Sequence, residues 1–315
     1  MMKRLCIGFV MDPIASINPK KDTTLALMLE AQKRGYRIFT MQPHHLFLSE
    51  QGDVSAIMQE TRVKDDIHQW FTLESSENKA LSDLDVILMR KDPPVDAAYT
   101  IATHLLERAQ REGTPVINDP RSLRDLNEKL FATDFPQFQP PTLITSSHDL
   151  IMAFAKKHGD IILKPLHGMG GTSVFHIRPE DANLKVIMET LTGDGTRSIV
   201  AQRFIPEIRD GDKRILMIKG EPYPYALARL PAKGEIRANL ASGGRGIGQP
   251  LSERDHSICH TVGPALKSRG ILFAGIDVIG DYLTEINITS PTCVRELEKQ
   301  YHTNISGQIL DAILE

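Results

Sequence analysis

Three sets of residues in this chain have the types and spacing to do chemistry. The first is Ile161-Ile162-Leu163-Lys164-Pro165-Leu166-His167-Gly168-Met169-Gly170-Gly171. A run of branched apolar residues fits a strand covered on both faces, with Lys164 emerging where it ends. Gly168, Gly170 and Gly171 then let backbone N–H groups come close to an anion. The combination suits a phosphate, although a glycine cluster after a strand also serves as a plain hairpin turn.

The second set is Asp277, Glu285 and Asn287. Glu285 and Asn287 stand two apart, so on a strand they share a face, with Ile286 and Ile288 turned to the core. Asp277 joins that face if Gly280-Asp281-Tyr282 forms a three-residue loop, whereas a two-residue loop turns it away. Two carboxylates and an amide oxygen are hard ligands suited to magnesium, whose octahedron water and substrate phosphates complete. Without a cation, carboxylates this close repel and one pKa rises. The alternative is a solvated hairpin edge. The third set, Lys129, Lys164 and Arg214, balances a triphosphate from the other side, although each alone reads as a surface charge. Gln202-Arg203-Phe204-Ile205 offers backbone groups and an apolar wall to adenine, with a purely structural role for Phe204 open.

The elements that must carry these residues alternate at first. Residues 5–11 read as a buried strand, 23–34 as a helix stopped by Gly35, and 36–41 as the next strand. Val86–Met89 runs into Arg90-Lys91-Asp92-Pro93-Pro94, and Val116-Ile117 into Asn118-Asp119-Pro120. This is a doubly wound α/β pattern, in which ligands sit beyond the carboxyl ends of strands, nominating the Asp12, Arg90 and Asn118 loops as one wall of a site. Near Asn127-Glu128-Lys129 the pattern changes, and the prolines of 135–141 prevent a continuing helix. A small α+β unit follows: strand 142–144, a helix from its cap Ser147 to Lys157 with Gly159 as stop, strand 161–163, strand 173–177, helix 184–191 and strand 198–202. Strands 214–219 and 225–230 come next, then a helix over 253–268 and strands 271–279 and 283–288. Residues 231–248 hold five glycines and no hydrophobic period, which predicts a mobile loop. The expected division is 1–124 as an α/β substrate-binding domain, 125–203 as a smaller lobe, and 204–315 as a lobe bearing the metal site and a mobile loop, 230–248.

A chain of 315 residues fits two or three compact units sharing an interface. With 37 basic against 40 acidic residues there is no nucleic-acid footprint. No apolar run approaches the roughly 20 residues of a membrane span. Residues 1–10 resemble a short secretory leader, but Asp12 and Pro13 interrupt it too early. Cys6, Cys259 and Cys293 are odd in number and without metal spacing, which fits a reducing cytoplasm. Cys293 reads as a small buried hydrophobe, with oxidative blocking of the site as the alternative.

Six motifs then occur in order: Leu88 to Pro94; Asn127-Glu128-Lys129-Leu130; Leu163 to Leu166 with Gly168 to Gly171; Gly211-Asp212-Lys213-Arg214; Asn239-Leu240-Ala241 with Gly243-Gly244-Arg245-Gly246; and Leu283 to Pro291. Together they resemble the bacterial glutathione synthetases, ATP-grasp ligases, from about residue 5 to residue 311. The resemblance implies a doubly wound N-terminal domain followed by a two-lobed ATP-grasp module. It implies joining of γ-glutamylcysteine to glycine with release of ADP and phosphate, in a cytoplasmic homotetramer. It places Lys129, Lys164, Gly168, Gly170 and Gly171 at the ATP phosphates, Gln202, Arg203, Phe204 and Ile205 around adenine, and Asp212 at the ribose. Asp277, Glu285 and Asn287 would hold magnesium or manganese. Arg214 and Arg229 fall near the reacting carboxylate and γ-phosphate, with Lys164 as a third catalytic group and Arg90, Arg237 and Asn239 at the substrates. The segment between Leu230 and Gly248 corresponds to a lid, and its deletion around Gly243-Gly244-Arg245 is expected to uncouple ATP hydrolysis from ligation. His167 departs from the family, which is expected to carry an acidic residue there. Another ATP-grasp carboxylate-amine ligase and a non-catalytic nucleotide-binding module are the rival readings.

Overall fold

The computed structural model describes residues 4–232, 234–235, 237–238 and 244–315. Its first unit contains β1 (Cys6–Met11), α1 (Thr23–Lys33), β2 (Arg37–Met41), β3 (Leu46–Leu48), β4 (Val54–Val63), β5 (Phe71–Ala80), β6 (Val86–Arg90), α2 (Ala97–Arg111), β7 (Val116–Ile117) and α3 (Pro120–Asp125). Strands β2, β1, β6 and β7 pair in parallel, as the doubly wound pattern requires. Strand β4 joins β2 antiparallel and carries β3 and β5, an extension that the alternating pattern did not announce. Strand β5 is polar and exposed along most of its length, so it has no hydrophobic alternation to read. Asp22 caps α1 by accepting from the Leu25 N–H, and Gly35 leaves the helix at φ +81°.

The second unit is α4 (Glu128–Phe131), β8 (Thr142–Thr145), α5 (His148–His158), β9 (Ile161–Pro165), β10 (Phe175–Ile177), α6 (Leu184–Thr192) and β11 (Ile199–Arg203). Its four strands form an antiparallel sheet in the order β10-β9-β11-β8. The third has β12 (Asp212–Ile218), β13 (Glu221–Leu230), β14 (Arg245–Pro250), α7 (Glu253–Ser268), β15 (Phe273–Ile279), β16 (Tyr282–Asn287), α8 (Val294–Tyr301) and α9 (Ile305–Leu314). Here the order is β14-β13-β12-β15-β16, again antiparallel. The middle sheet keeps its own core around Ile161, Leu163 and Ile199. The outer two share theirs: Ile7, Leu25 and Leu27 lie in one cluster with Leu216, Leu297 and Leu310. The first and third units are therefore fused, and the sheet of the middle unit stands apart, while α4 is anchored to the fused pair through Phe131, which lies in their core.

Two expectations need correction. Residues 245–250 are strand, not loop, and pair with β13 from Leu230 back to Tyr225. Their glycines serve packing: a Cβ on Gly246 would come within 3.0 Å of the Leu227 side chain, and one on Gly248 within 2.5 Å of the Tyr301 ring. Glycine content alone does not separate close approach from mobility. The β15–β16 turn takes the two-residue form, Gly280 and Asp281, which by loop length alone would turn Asp277 away. Asp277 nevertheless pairs with Glu285, because a β-bulge at Thr284 absorbs the missing residue and restores the phase.

Candidate active site

Two cavities meet between the units. One, of about 130 Å³, lies between the β9 and β11 side and the β15–β16 side, and is lined by Lys164, Gln202 to Ile205 and Asp212. The other, of about 330 Å³, reaches from Arg214 and Arg229 to Asp12, Lys21 and Asp22 of the first unit. Gly168, Met169, Gly170 and Glu285 line both. A molecule in the first cavity would meet one in the second at the glycine turn.

Asn127 fixes this junction. Its Oδ1 caps α4 by accepting the Lys129 and Leu130 N–H groups, and its Nδ2 donates to the Leu166 carbonyl at 3.1 Å. Lys129 thus emerges beside the turn, with Nζ 2.8 Å from both the Gly168 carbonyl and Glu285 Oε1. Burial pulls its pKa down, but Glu285 outweighs this and the pKa is raised. Lys164 differs. Its Nζ reaches only Gln202 Oε1, at 3.5 Å, and among the described residues no carboxylate lies within ion-pair distance. Burial pulls its pKa down more than the nearby Glu285 raises it, so Lys164 is a half-buried cation with no ion pair among the described residues.

On the opposite wall the cations are spoken for. Arg214 grips Asp277 with two bonds, Nη2 to Oδ2 at 2.9 Å, and Arg229 bridges Asp212 Oδ2 at 2.6 Å and Asp277 Oδ2 at 3.0 Å. Gly275 leaves room for this fork, since a Cβ there would meet Arg214 Cδ at 2.7 Å. Burial pushes the Asp277 carboxyl up, but the two arginines win and hold it at about 2. Asp212 has only a share in Arg229, so burial and the nearby Asp277 push it up to about 6. Its Oδ1 is buried and has no hydrogen-bond partner among the described residues. Asn287 Nδ2 donates to Asp277 Oδ2 at 3.1 Å, and Asp277 stands opposite Glu285 in the ladder, so the three expected metal ligands share one face. No cluster of three His, Cys, Asp or Glu side chains forms among the described residues; this set has two carboxylates and an amide.

Other expected residues fall elsewhere. Arg90 does not line either cavity: it is buried behind the wall, donating to Thr24 Oγ1 at 3.1 Å and to the Pro291 carbonyl at 2.9 Å. Asn118, on a nominated loop, also lies behind it, while Asp12 and Asp92 do face the larger cavity. Arg237 lines the first cavity, paired with Glu235, whereas Asn239 and Gly243 lie outside the described residues. His167 is exposed beside the turn. Cys293 is 1% exposed and borders the larger cavity, its thiol pushed up by burial. Lys21, Ser290, Thr292 and Glu296 also border it without having been singled out. They come from loops and a helix start, where no periodicity marks a side chain's direction.

Comparison with known proteins agrees with the motifs. Residues 5–124 match the model of the prokaryotic glutathione synthetase N-terminal domain, and residues 128–302 that of the prokaryotic glutathione synthetase ATP-grasp domain. Glutathione synthetases of Pseudomonas aeruginosa and Vibrio cholerae are each 56% identical over 307 residues, covering 98% of this chain and 96% of theirs. The crystal structure of the D-cycloserine synthetase DcsG superposes with a TM-score of 0.67 at 12% identity, covering 98% of each chain, a likeness of fold alone. By its two domains and its near full-length relatives, the chain belongs to the prokaryotic glutathione synthetase family.

Proposed function

We propose that this chain joins γ-L-glutamyl-L-cysteine to glycine, consuming ATP and releasing glutathione, ADP and phosphate. The observation that carries the reading is the meeting of the two cavities at Gly168–Gly170 and Glu285, where a nucleotide's terminal phosphate and a carboxylate can come together. Adenine would lie against Gln202 to Ile205, and the ribose hydroxyls would satisfy the orphaned Asp212 Oδ1. Lys129, Lys164 and the N–H groups of the glycine turn would take the phosphates. Asp277, Glu285 and Asn287 offer hard oxygen donors that fit magnesium, or manganese, which when bound neutralises phosphate charge. Arg237 and Asn239 belong to the same proposal at the substrates, and Arg90 acts there through the loop it holds.

Chemistry then needs no side-chain nucleophile. The dipeptide's carboxylate attacks the γ-phosphorus, ADP leaves, and the glycine amine displaces phosphate from the acyl phosphate. Arg214 and Arg229 stand where charge develops on the transferring group and on the tetrahedral oxyanion. Binding both substrates at one junction supplies orientation, up to about 7–11 kcal/mol in favourable cases. The sheet β8 to β11 of the middle unit, with its own core, would close over the site against the fused 1–124 and 204–315, excluding water that would destroy the acyl phosphate. The proposal extends to a homotetramer in the cytoplasm, the assembly being open to light scattering. No helix among the described residues is long and apolar enough to cross a membrane.

The test is ADP release with magnesium and ATP, supplying γ-glutamylcysteine and glycine separately and together. Release that needs both, matched by stoichiometric glutathione, is expected; release with a different acceptor pair alone would transfer the chain to another ATP-grasp reaction. A pH dependence follows from Asp212. Its folded pKa of about 6 lies above the ordinary 3.8, so its contribution to stability is fully present below about 3.8 and lost as pH rises through 6. Binding runs the other way, since only the carboxylate accepts both ribose hydroxyls. ATP affinity is expected to fall severalfold below pH 6, and Asp212→Asn to flatten the profile in a titration with a non-hydrolysable analogue. An unchanged profile in that variant would remove Asp212 from the ribose.

A further inference from the structure

Ile288, the residue after the strand that bears Glu285 and Asn287, is gripped from two sides, by Glu128 at the rim of the larger cavity and by Asn118 behind its wall. Glu128 opens α4, one residue before Lys129, and its Oε1 accepts from the Ile288 N–H at 2.8 Å, the Thr289 N–H at 3.0 Å and Thr289 Oγ1 at 2.9 Å. From the first unit, Asn118 Nδ2 donates to the Ile288 carbonyl and to the Phe273 carbonyl, both at 2.7 Å. Its Oδ1 accepts the Leu272 and Phe273 N–H groups at 2.9 and 3.0 Å. Both backbone groups of Ile288 are thus held by side chains, one from each neighbouring unit, at the point where β16 leaves the sheet and its ladder no longer fixes the chain.

We propose that Glu128 and Asn118 are positioning residues that lock the end of β16, so that Asn287 and Lys129 are set as one rigid unit about the metal and the phosphates. The geometry favours this over a generic fold contact. Asn287 is the last residue of β16 and its side chain is already directed at Asp277, 3.1 Å away. Releasing Ile288 would let the last rung of the ladder, Asn287 opposite Gly275, fray, and the Asn287 amide would move with its backbone. Because Glu128 adjoins Lys129 on the short helix α4, the same bond fixes the distance between Lys129 and Glu285, now 2.8 Å. Outer partners that orient ligands typically govern metal affinity by about 10–100-fold.

The inference rests on the proposed metal site, and the experiment separates the two. Manganese binding in the presence of a non-hydrolysable ATP analogue would be followed by electron paramagnetic resonance for wild type, Glu128→Ala and Glu128→Gln. Wild type is expected to bind, the alanine variant about 10–100-fold more weakly, and glutamine, which keeps an acceptor oxygen, close to wild type. Failure of wild type to bind manganese would sink the metal site itself and this inference with it. Binding by wild type and by a folded alanine variant within twofold of each other would overturn the inference alone. If Glu128→Ala does not fold, Glu128→Asp, which keeps the charge but withdraws the oxygen, must show the weaker binding, and unchanged affinity there would also overturn it. A role confined to folding would lower the melting temperature without altering the affinity of the folded protein.

Discussion

Replacing Lys164 with methionine is expected to raise the melting temperature of the ligand-free protein and to weaken ATP binding by about a hundredfold. The two effects have one cause. Lys164 is a half-buried cation whose one hydrogen bond among the described residues is to Gln202 Oε1, at 3.5 Å, and burial depresses its pKa although Glu285 acts against it from beyond ion-pair distance. A methionine of similar shape removes the cost of keeping a charge there, as replacing buried charge by apolar side chains often does. An arriving phosphate would find no counter-charge there, and the stabilisation by ligand that binding normally brings would shrink. Thermal melts with and without a non-hydrolysable ATP analogue read both numbers at once. A ligand-free protein that melts lower, or an analogue that protects the variant as well as the wild type, would show that Lys164 has a structural partner instead.

The second large effect is expected at Arg214. Arg214→Ala should lower kcat by about 10²–10³, the usual loss when a donor aimed at developing charge is removed, while changing the KM for ATP only a fewfold. Arg229 remains to partner Asp277 at 3.0 Å, so the carboxylate is not left alone and folding should survive. Arg214→Lys keeps the charge but loses the planar fork that grips both Asp277 oxygens, and should recover only part of the rate. Steady-state kinetics with each substrate varied in turn, beside binding of the analogue, separates rate from affinity. A loss of tenfold or less in kcat would mean that Arg214 serves chiefly to hold Asp277.

Much of this site is written locally in the chain. The Ile161 to Gly171 run is readable because strand, lysine and turn are contiguous and each has a strong local cause. Glu285 and Asn287 are readable because alternation puts both on one face, and Ile286 and Ile288 are indeed fully buried between them. What failed to show is non-local. The ion-pair network of Arg214, Arg229, Asp212 and Asp277 depends on which strands pair, as does the division of labour between a paired Lys129 and an unpaired Lys164. The grip on Ile288 joins residues 118, 128 and 288, and no spacing rule links them. Strand β5 has no alternation to read because it is solvated along most of its length, β3 and the mostly buried β4 join the sheet by antiparallel pairing that no local spacing announces, and the packing glycines of β14 look like flexibility. Loop length alone puts Asp277 on the wrong face, since a bulge gives no local signal beyond the residue it consumes.

That bulge gives the hairpin one residue of slack. Loss of a residue among 280–284, or gain of one in the turn with the bulge ironed out, leaves Glu285 opposite Asp277, whereas any change of length within 285–289 carries Asn287 off its face or out of its grip. Insertions and deletions among relatives are therefore expected to collect in the first stretch and to be missing from the second. The segment 285–289 is the part that must be transplanted whole, and the turn is the place where a tag or a foreign loop can be grafted without dismantling the site.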